Sequence, residues 1–333
     1  MSNEADQLPI IAAMIGDPGG IGPEVCVKAI ASGELRRLCR PLLVGSAEAL
    51  KRAAGISSLN IAFRVAPDIK NARFDSGGGA GGETVIVIDP GDLRPDDFAA
   101  GQPSAASGRA VMNWIRLVDG MAASGLIGGC VMGPVDSASL KMAGAVENID
   151  DLQPSGSYLF RISGALRVVP LTEHLRIRDV PDTVTREAVL KLVRLVDETL
   201  RRWGVASPRI GVAGLNPHAM YEEDSERIAP AVNEARRLGI ACSGPISPDS
   251  IFRQGLEGRF DAIISMYHDQ GQIALKSAAF EGACTIYLGP PYVRVTAPHG
   301  SAMDIAGTGR ANHRSILAAM KTAAALAGGR GFL

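Results

Sequence analysis

The sequence predicts an α/β protein. Short apolar runs alternate with segments of helical period along the chain, the pattern of helices layered on a sheet. Its 333 residues are enough for two domains of ordinary size, and 46% hydrophobic against 21% charged residues suits a large packed core. Strands are expected at 9–15, 41–44, 84–88, 128–132, 167–171, 209–213, 261–266 and 284–288. Helices are expected at 22–31, 47–54, 108–123, 186–203, 225–238 and 315–326. The clearest lies in "TVTREAVLKLVRLVDETLRRWG". Thr185 serves as its cap, Val189, Leu190, Val193, Leu195, Val196 and Leu200 form its apolar stripe, and Gly204 closes it. The stretch "DSGGGAGGE" at 75–83 reads as a surface loop, because no GKS or GKT follows to make it a phosphate loop.

Charge narrows the partners. With 34 basic and 35 acidic residues the formal charge is -1, which offers no footprint for nucleic acid or an anionic membrane. A small-molecule ligand is expected. The opening "MSNEADQLPIIAAMIGDPGG" is acidic, and Asp17 and Pro18 break its apolar run, so it suits neither a signal peptide nor a membrane span. The five cysteines, Cys26, Cys39, Cys130, Cys242 and Cys284, are widely spaced with no CxxC pair. Reduced, buried thiols in a cytoplasmic protein are the expectation.

The functional signal sits at the carboxyl ends of the expected strands, where open α/β sheets hold their ligands. Four strands end in unusual polar groups: "IGDPGGIGPE", "LTEHLRIRD", "GLNPHAMYEEDS" and "MYHDQGQIALK". Only five histidines occur, and three of them, His174, His218 and His268, each follow a separate strand. Three imidazoles with an open position make a catalytic divalent-metal site, most naturally for zinc, with cobalt, manganese or magnesium as alternatives. Glu173 and Asp269 stand beside them to orient a ring or move a proton. Gly271 is expected to allow the chain to turn after the strand.

A second constellation is "PHGSAMDIAGTGRAN" at 298–312, where small residues let the backbone approach a ligand and Asp304 can accept from a ribose diol. That acid would disfavour the extra phosphate of NADP, so NAD is the expected cofactor, with NADP as the second option. A GxGxxG fingerprint is absent after the first strand, so a nicotinamide cofactor would not bind by the Rossmann route.

Taken together, "GDPGGIGPE" (16–24), "GPV" (133–135), "GLNPHA" (214–219), "GPISPDSIF" (244–252), "MYHDQG" (266–271) and "HGSAMDIAGTG" (299–309) resemble the 4-hydroxythreonine-4-phosphate dehydrogenase family. The resemblance implies an isocitrate/isopropylmalate dehydrogenase-like fold: two α/β domains with a cleft between them, residues 1–127 plus 290–333 carrying the cofactor loop and 128–289 the metal site and dimer contacts. It implies a homodimer with the active site at the subunit interface. His174, His218 and His268 match the metal ligands, and His299, Gly300, Ser301, Ala302, Asp304 and Asn312 the cofactor loop. Lys276, Thr285 and Arg294 fall where the family contacts substrate. Asp249, Asp269 and Lys276 are the catalytic candidates, the two acids for proton transfer. The implied reaction is metal-dependent, NAD-linked oxidation of a secondary alcohol β to a carboxylate, followed by loss of carbon dioxide.

Departures from the family concentrate at the expected substrate pocket. The family's GHTE-like motif is replaced by "DLQPSGSYLF" at 151–160, and the lysine after "GPV" by Asp136 and Ser137. Fewer donors argue against a phosphate monoester. Tyr158 and Phe160 suit a flat or cyclic molecule instead, and Ser155, Ser157 and Tyr158 are the candidate substrate contacts of this segment. The sequence is similar here to the terephthalate cis-dihydrodiol dehydrogenases, and a carboxylated cis-dihydrodiol is therefore the expected substrate. A phosphorylated hydroxythreonine or a related sugar-acid phosphate is the alternative, and a non-catalytic metal-binding homologue the remaining one.

Overall fold

Ile10–Met14 (β1) is buried from Ile11 onward and lies between two parallel neighbours, Arg40–Val44 (β2) and Gly129–Met132 (β5). An unbroken apolar run is what a strand covered on both faces requires. In the computed structural model, which describes residues 8–72, 84–147, 149–278 and 283–332, the stretch at 75–83 lies outside the described residues. The chain divides into two units: Met1–Pro154 with Pro290–Gly328 and Phe332–Leu333, and Ser155–Gly289 with Gly329–Gly331.

The first unit is a parallel sheet in the order β3-β4-β2-β1-β5-β12, where β3 is Ala62–Ala66, β4 Thr84–Ile88 and β12 Val293–Thr296. Its helices are Gly22–Ala31 (α1), Ala47–Ile56 (α2), Ala105–Ala123 (α3), Ser137–Met142 (α4) and, after the return of the chain, Arg314–Ala327 (α10). The break between units falls at 154/155, not at the expected 127/128. The physical reason is that β5 pairs with β1 and β12, which ties the chain after 128 to the first sheet.

The second unit is a mixed sheet in the order β11-β6-β7-β10-β8-β9. Its strands are Tyr158–Ser163 (β6), Leu166–Thr172 (β7), Ile210–Ala213 (β8), Cys242–Ile246 (β9), Ala262–Tyr267 (β10) and Cys284–Leu288 (β11). β6 runs antiparallel to β7 and β11, whereas β7, β10, β8 and β9 are parallel. Helices Val180–Thr183 (α5), Arg186–Arg202 (α6), Ala229–Arg237 (α7), Pro248–Leu256 (α8) and His268–Ala278 (α9) accompany it. Thr185 caps α6 as expected, accepting from the Ala188 N–H. All five cysteines are buried thiols.

No turn follows β10. The strand passes directly into α9 at His268, and Gly271 sits inside that helix. Gly271 serves close approach instead: a Cβ there would lie 2.8 Å from Ser265 Oγ in β10 and 2.8 Å from Val168 Cγ1 in β7. Phe160, expected at a substrate pocket, is 0% exposed and packs edge-on against Trp203 at a centroid distance of 6.1 Å. It belongs to the core because β6 is an internal strand.

Gly271→Ala tests the packing of α9. Overpacking costs about 1–3 kcal/mol, more than the ~1 kcal/mol that alanine gains over glycine in a helix. The variant is expected to lose stability by the difference in urea unfolding, while an unchanged midpoint would contradict the tight fit.

Candidate active site

Three adjacent parallel strands of the second unit, β7, β10 and β8, deliver His174, His268 and His218 just beyond their carboxyl ends. Two side chains lock those ends together. Thr172 Oγ1 donates to the Met266 carbonyl (2.9 Å), joining β7 to β10. Gln270 accepts from the Met266 N–H (2.7 Å) and donates to the Gly214 carbonyl (2.9 Å), joining β10 to the segment after β8.

Glu173, His174 and His268 each bring one ligand atom within 4.8 Å of the others. The two rings are 5.2 Å apart and tilted by 56°. His268 Nδ1 is hydrogen-bonded to Asp269 Oδ1 at 2.6 Å, which leaves Nε2 as the ligand nitrogen and casts Asp269 as the orienting carboxylate. Glu173 forms a two-point pair with Arg161 on β6 (2.8 and 3.0 Å). Each oxygen retains a lone pair for a cation. Two imidazoles and a charge-balanced carboxylate fit a divalent metal.

His218 lies outside that group, on a short 3-10 turn with φ of 57°, followed by Ala219 at 54°. Left-handed backbone at non-glycine residues costs of order 1 kcal/mol or more each and needs a framework to hold it. Asp224 supplies the framework. It is 0% exposed and accepts from the Leu215 N–H (2.7 Å), Asn216 Nδ2 (3.1 Å) and the Tyr221 N–H (3.3 Å).

The remaining expected residues are placed as follows. Thr285 stands directly opposite Arg161 in the β11–β6 ladder, so the two share a face. Lys276 is exposed on α9, eight residues past His268 and about 12 Å of helical rise away. Asp249 is exposed in the first turn of α8, where Ser247 Oγ donates to it. Ser155 is exposed, and Ser157 and Tyr158 are half-buried at the start of β6, burial raising the Tyr158 hydroxyl pKa. Arg294 is 2% exposed, paired with Asp119 (3.2 Å) and donating to the Leu152 carbonyl (3.1 Å).

In the first unit, the loop 298–312 presents Asp304 exposed on a 3-10 turn, entered through Ala302 in left-handed conformation at φ 41°. Asn312 Oδ1 accepts from the Arg314 N–H (2.9 Å), which leaves its NH2 for a ligand. Gly300 is exposed. His299 Nε2 is buried without a hydrogen-bond partner among the described residues, a polar atom suited to meet a bound nucleotide. Ser301 Oγ donates to Asp136 Oδ2 (2.8 Å), and Asp136 Oδ1 accepts from the Ser139 N–H (2.9 Å). The acid that replaces the expected lysine thus caps α4 and anchors the loop. Asp17, 0% exposed, accepts from the Gly19 N–H (2.8 Å). Its pKa is raised by burial, against hydrogen bonds from Ser139 and Gly19 and with the Asp136 charge adding to the rise.

Sequence comparison extends this geometry. Residues 37–323 match the family "Pyridoxal phosphate biosynthetic protein PdxA". A Novosphingobium aromaticivorans protein provisionally named 4-hydroxythreonine-4-phosphate dehydrogenase is 41% identical over 333 residues, covering 100% of this chain and 99% of that one. A Clostridium botulinum protein provisionally named D-threonate 4-phosphate dehydrogenase is 34% identical, covering 95% and 96%. Among solved structures, a Burkholderia phymatum 4-hydroxythreonine-4-phosphate dehydrogenase superposes with TM-score 0.84 at 33% identity, covering 96% and 98%. A Burkholderia xenovorans terephthalate 1,2-cis-dihydrodiol dehydrogenase reaches 0.69 at 26%, covering 93% and 95%.

Fold and relatives define an oxidoreductase, a dehydrogenase acting on a CH–OH group. The chain belongs to the PdxA family, whose dehydrogenases are NAD-dependent and use a divalent metal. The expectation of a carboxylated cis-dihydrodiol substrate is overturned, since the hydroxythreonine-phosphate dehydrogenases are nearer in both sequence and structure. One of its premises also fails physically, since Phe160 is core. Among the described residues no helix is long and apolar enough to cross a membrane.

Sequence reading missed Arg161, Asp224 and Gln270. Only Arg161 left a signal, as a lone charge inside the apolar "SYLFRIS". Asp224→Ala removes an acceptor for three donors, an expected loss of about 2–4 kcal/mol in denaturant unfolding; a loss below ~0.5 kcal/mol would contradict its role. Asp17→Asn tests the buried acid. A raised carboxyl pKa stabilises the fold below the ordinary carboxylate range, and that contribution is lost as pH climbs through the raised value. The variant is neutral throughout, so thermal melts should show its stability relative to the parent improving from acid to mildly alkaline pH. A constant difference would exclude the shift.

Proposed function

We propose that this chain is an NAD-linked, metal-dependent dehydrogenase of 4-phosphorylated 3-hydroxy acids, with 4-hydroxythreonine 4-phosphate as the first candidate. The observation that carries this reading is the 41% identity extending over 100% of the chain. D-threonate 4-phosphate, named for the Clostridium botulinum relative, differs only in bearing hydroxyl where the first has amine at C2. Both have an alcohol carbon next to the carbon that bears the carboxylate. Oxidation there gives a β-keto acid, so decarboxylation is part of the proposal.

When bound, the cation supplies Lewis acidity at the substrate hydroxyl and the nicotinamide accepts hydride. Imidazole donors favour zinc among common divalent ions. His174 and His268 bind the cation, and Asp269 fixes the His268 ring. Arg161 balances the Glu173 charge. Lys276 and Thr285 serve as the substrate contacts, with Asp249 the remaining acid for proton transfer. Asp304 meets the adenosine ribose, which selects NAD over NADP.

His218 is proposed to complete the metal site from a second copy in a homodimer. Support comes from its place outside the Glu173–His174–His268 group and from exposed apolar residues on the same segments: Leu175 and Ile177 after β7, Met220 and Tyr221 after β8, and Ile273 on α9. Large apolar side chains left exposed on the segments that carry the ligands suit a protein interface.

The test is direct. Purified protein with zinc and NAD should reduce NAD with 4-hydroxythreonine 4-phosphate or D-threonate 4-phosphate, lose activity to a chelator, and regain it with metal. His218→Ala should lower activity by at least ~100-fold. Inactivity on both phosphorylated acids, with turnover of an unphosphorylated alcohol, would refute the proposal.

A further inference from the structure

Helix α1 grips the cofactor loop at both ends. At its entry, the Ile21 N–H donates to the Ser301 carbonyl at 2.9 Å. A Cβ on Gly20 would fall 2.8 Å from that carbonyl oxygen and 2.9 Å from Ser301 Cβ, so only glycine permits this approach. One turn on, Glu24 is 3% exposed, and its Oε1 accepts from the Ala311 N–H at 2.8 Å. Lys28, at i+4, places Nζ 2.7 Å from the same Glu24 oxygen, 2.7 Å from the Gly309 carbonyl and 2.9 Å from the Ala311 carbonyl. All three ammonium donors are therefore spent on one carboxylate and two loop carbonyls.

A buried carboxylate beside main-chain donors is costly unless a cation balances it, and a cation here must itself be satisfied. Glu24 and Lys28 meet both conditions only with residues 309–311 in place. Asp304, proposed to meet the ribose, lies between the two grips, and Asn312, whose NH2 is left for a ligand, stands one residue beyond the second.

We infer that Glu24 and Lys28 are positioning residues for the dinucleotide: they fix the loop 301–312 in its binding shape and so set affinity for NAD without touching it. This rests on the proposed NAD-binding role of the loop. The motif "GDPGGIGPE" acquires a purpose here that its failure to match GxGxxG left open. It is the base on which a cofactor loop from the far end of the chain is mounted.

The test uses Glu24→Ala, Lys28→Met and the milder Glu24→Gln, which keeps an acceptor for the Ala311 N–H. KM for NAD, kcat at saturating NAD, zinc affinity and amide exchange at Ala311 are measured on each. Glu24→Ala and Lys28→Met should raise KM for NAD by about tenfold or more while kcat stays within about twofold. Zinc affinity should not change, and exchange at Ala311 should quicken by about tenfold or more. Glu24→Gln should recover most of the NAD affinity. Unchanged KM for NAD in Glu24→Ala and Lys28→Met, with faster exchange, would overturn the inference and leave the loop's cofactor role intact. Parallel losses in kcat and zinc affinity would also overturn it. If the parent protein binds no NAD, the cofactor reading itself falls.

Discussion

The pinning of three strand ends to one another governs the second unit. β7, β10 and β8 are neighbours, but adjacency alone leaves the segments that follow them free to splay. Thr172 and Gln270 remove that freedom by bonding main-chain groups across the ends. Each such hydrogen bond contributes only about 1 kcal/mol net. Their value is geometric: Thr172 ties the two ends whose His174 and His268 imidazoles must lie within a few ångströms to share a cation, Gln270 fixes the segment that presents His218, and a slip of one residue would turn a histidine to the other face of the sheet. Gly271 acts in the same direction by letting α9 sit against β7 and β10, which fixes where His268 begins its helix.

The two units solve related problems by different means. In the second, strained backbone at His218 is held by a buried acid, Asp224, whose partners are two main-chain N–H groups and Asn216. In the first, the buried acid Glu24 holds a loop through one N–H group and a lysine. Both place a carboxylate where burial would penalise it and offset the penalty with donors from the segment to be positioned. Stability and site geometry are thereby coupled: neither loop can relax without exposing an unsatisfied charge.

Much of this was legible in the sequence, and the gaps have physical causes. Strands β1, β2, β4, β5, β8 and β10 announce themselves as apolar runs. β9 does not, since Gly244 and Pro245 read as a loop, and a proline is tolerated there because β9 is an edge strand. β12 hides behind Arg294, whose charge signals surface until Asp119 is seen to pair with it. Helix α9 was missed because its first residues, His268 to Gly271, look like a polar turn. The histidines were readable from their rarity and their places after strands. Asp224, Gln270 and Glu24 were not, because their bonds run to main-chain groups that carry no residue identity. The dihydrodiol expectation fails because it weighs donors lost from one segment and places Phe160 at the substrate, when that ring is sealed in the core.

The metal-binding set proposed at the strand ends is open to direct observation. Diffraction from metal-loaded crystals, recorded on both sides of the zinc absorption edge, locates the ion without reference to activity. An anomalous peak is expected within bonding distance of the His174 and His268 rings, with the His218 ring of a second copy completing the set. A zinc peak elsewhere on the chain, with those rings uncoordinated, would contradict it.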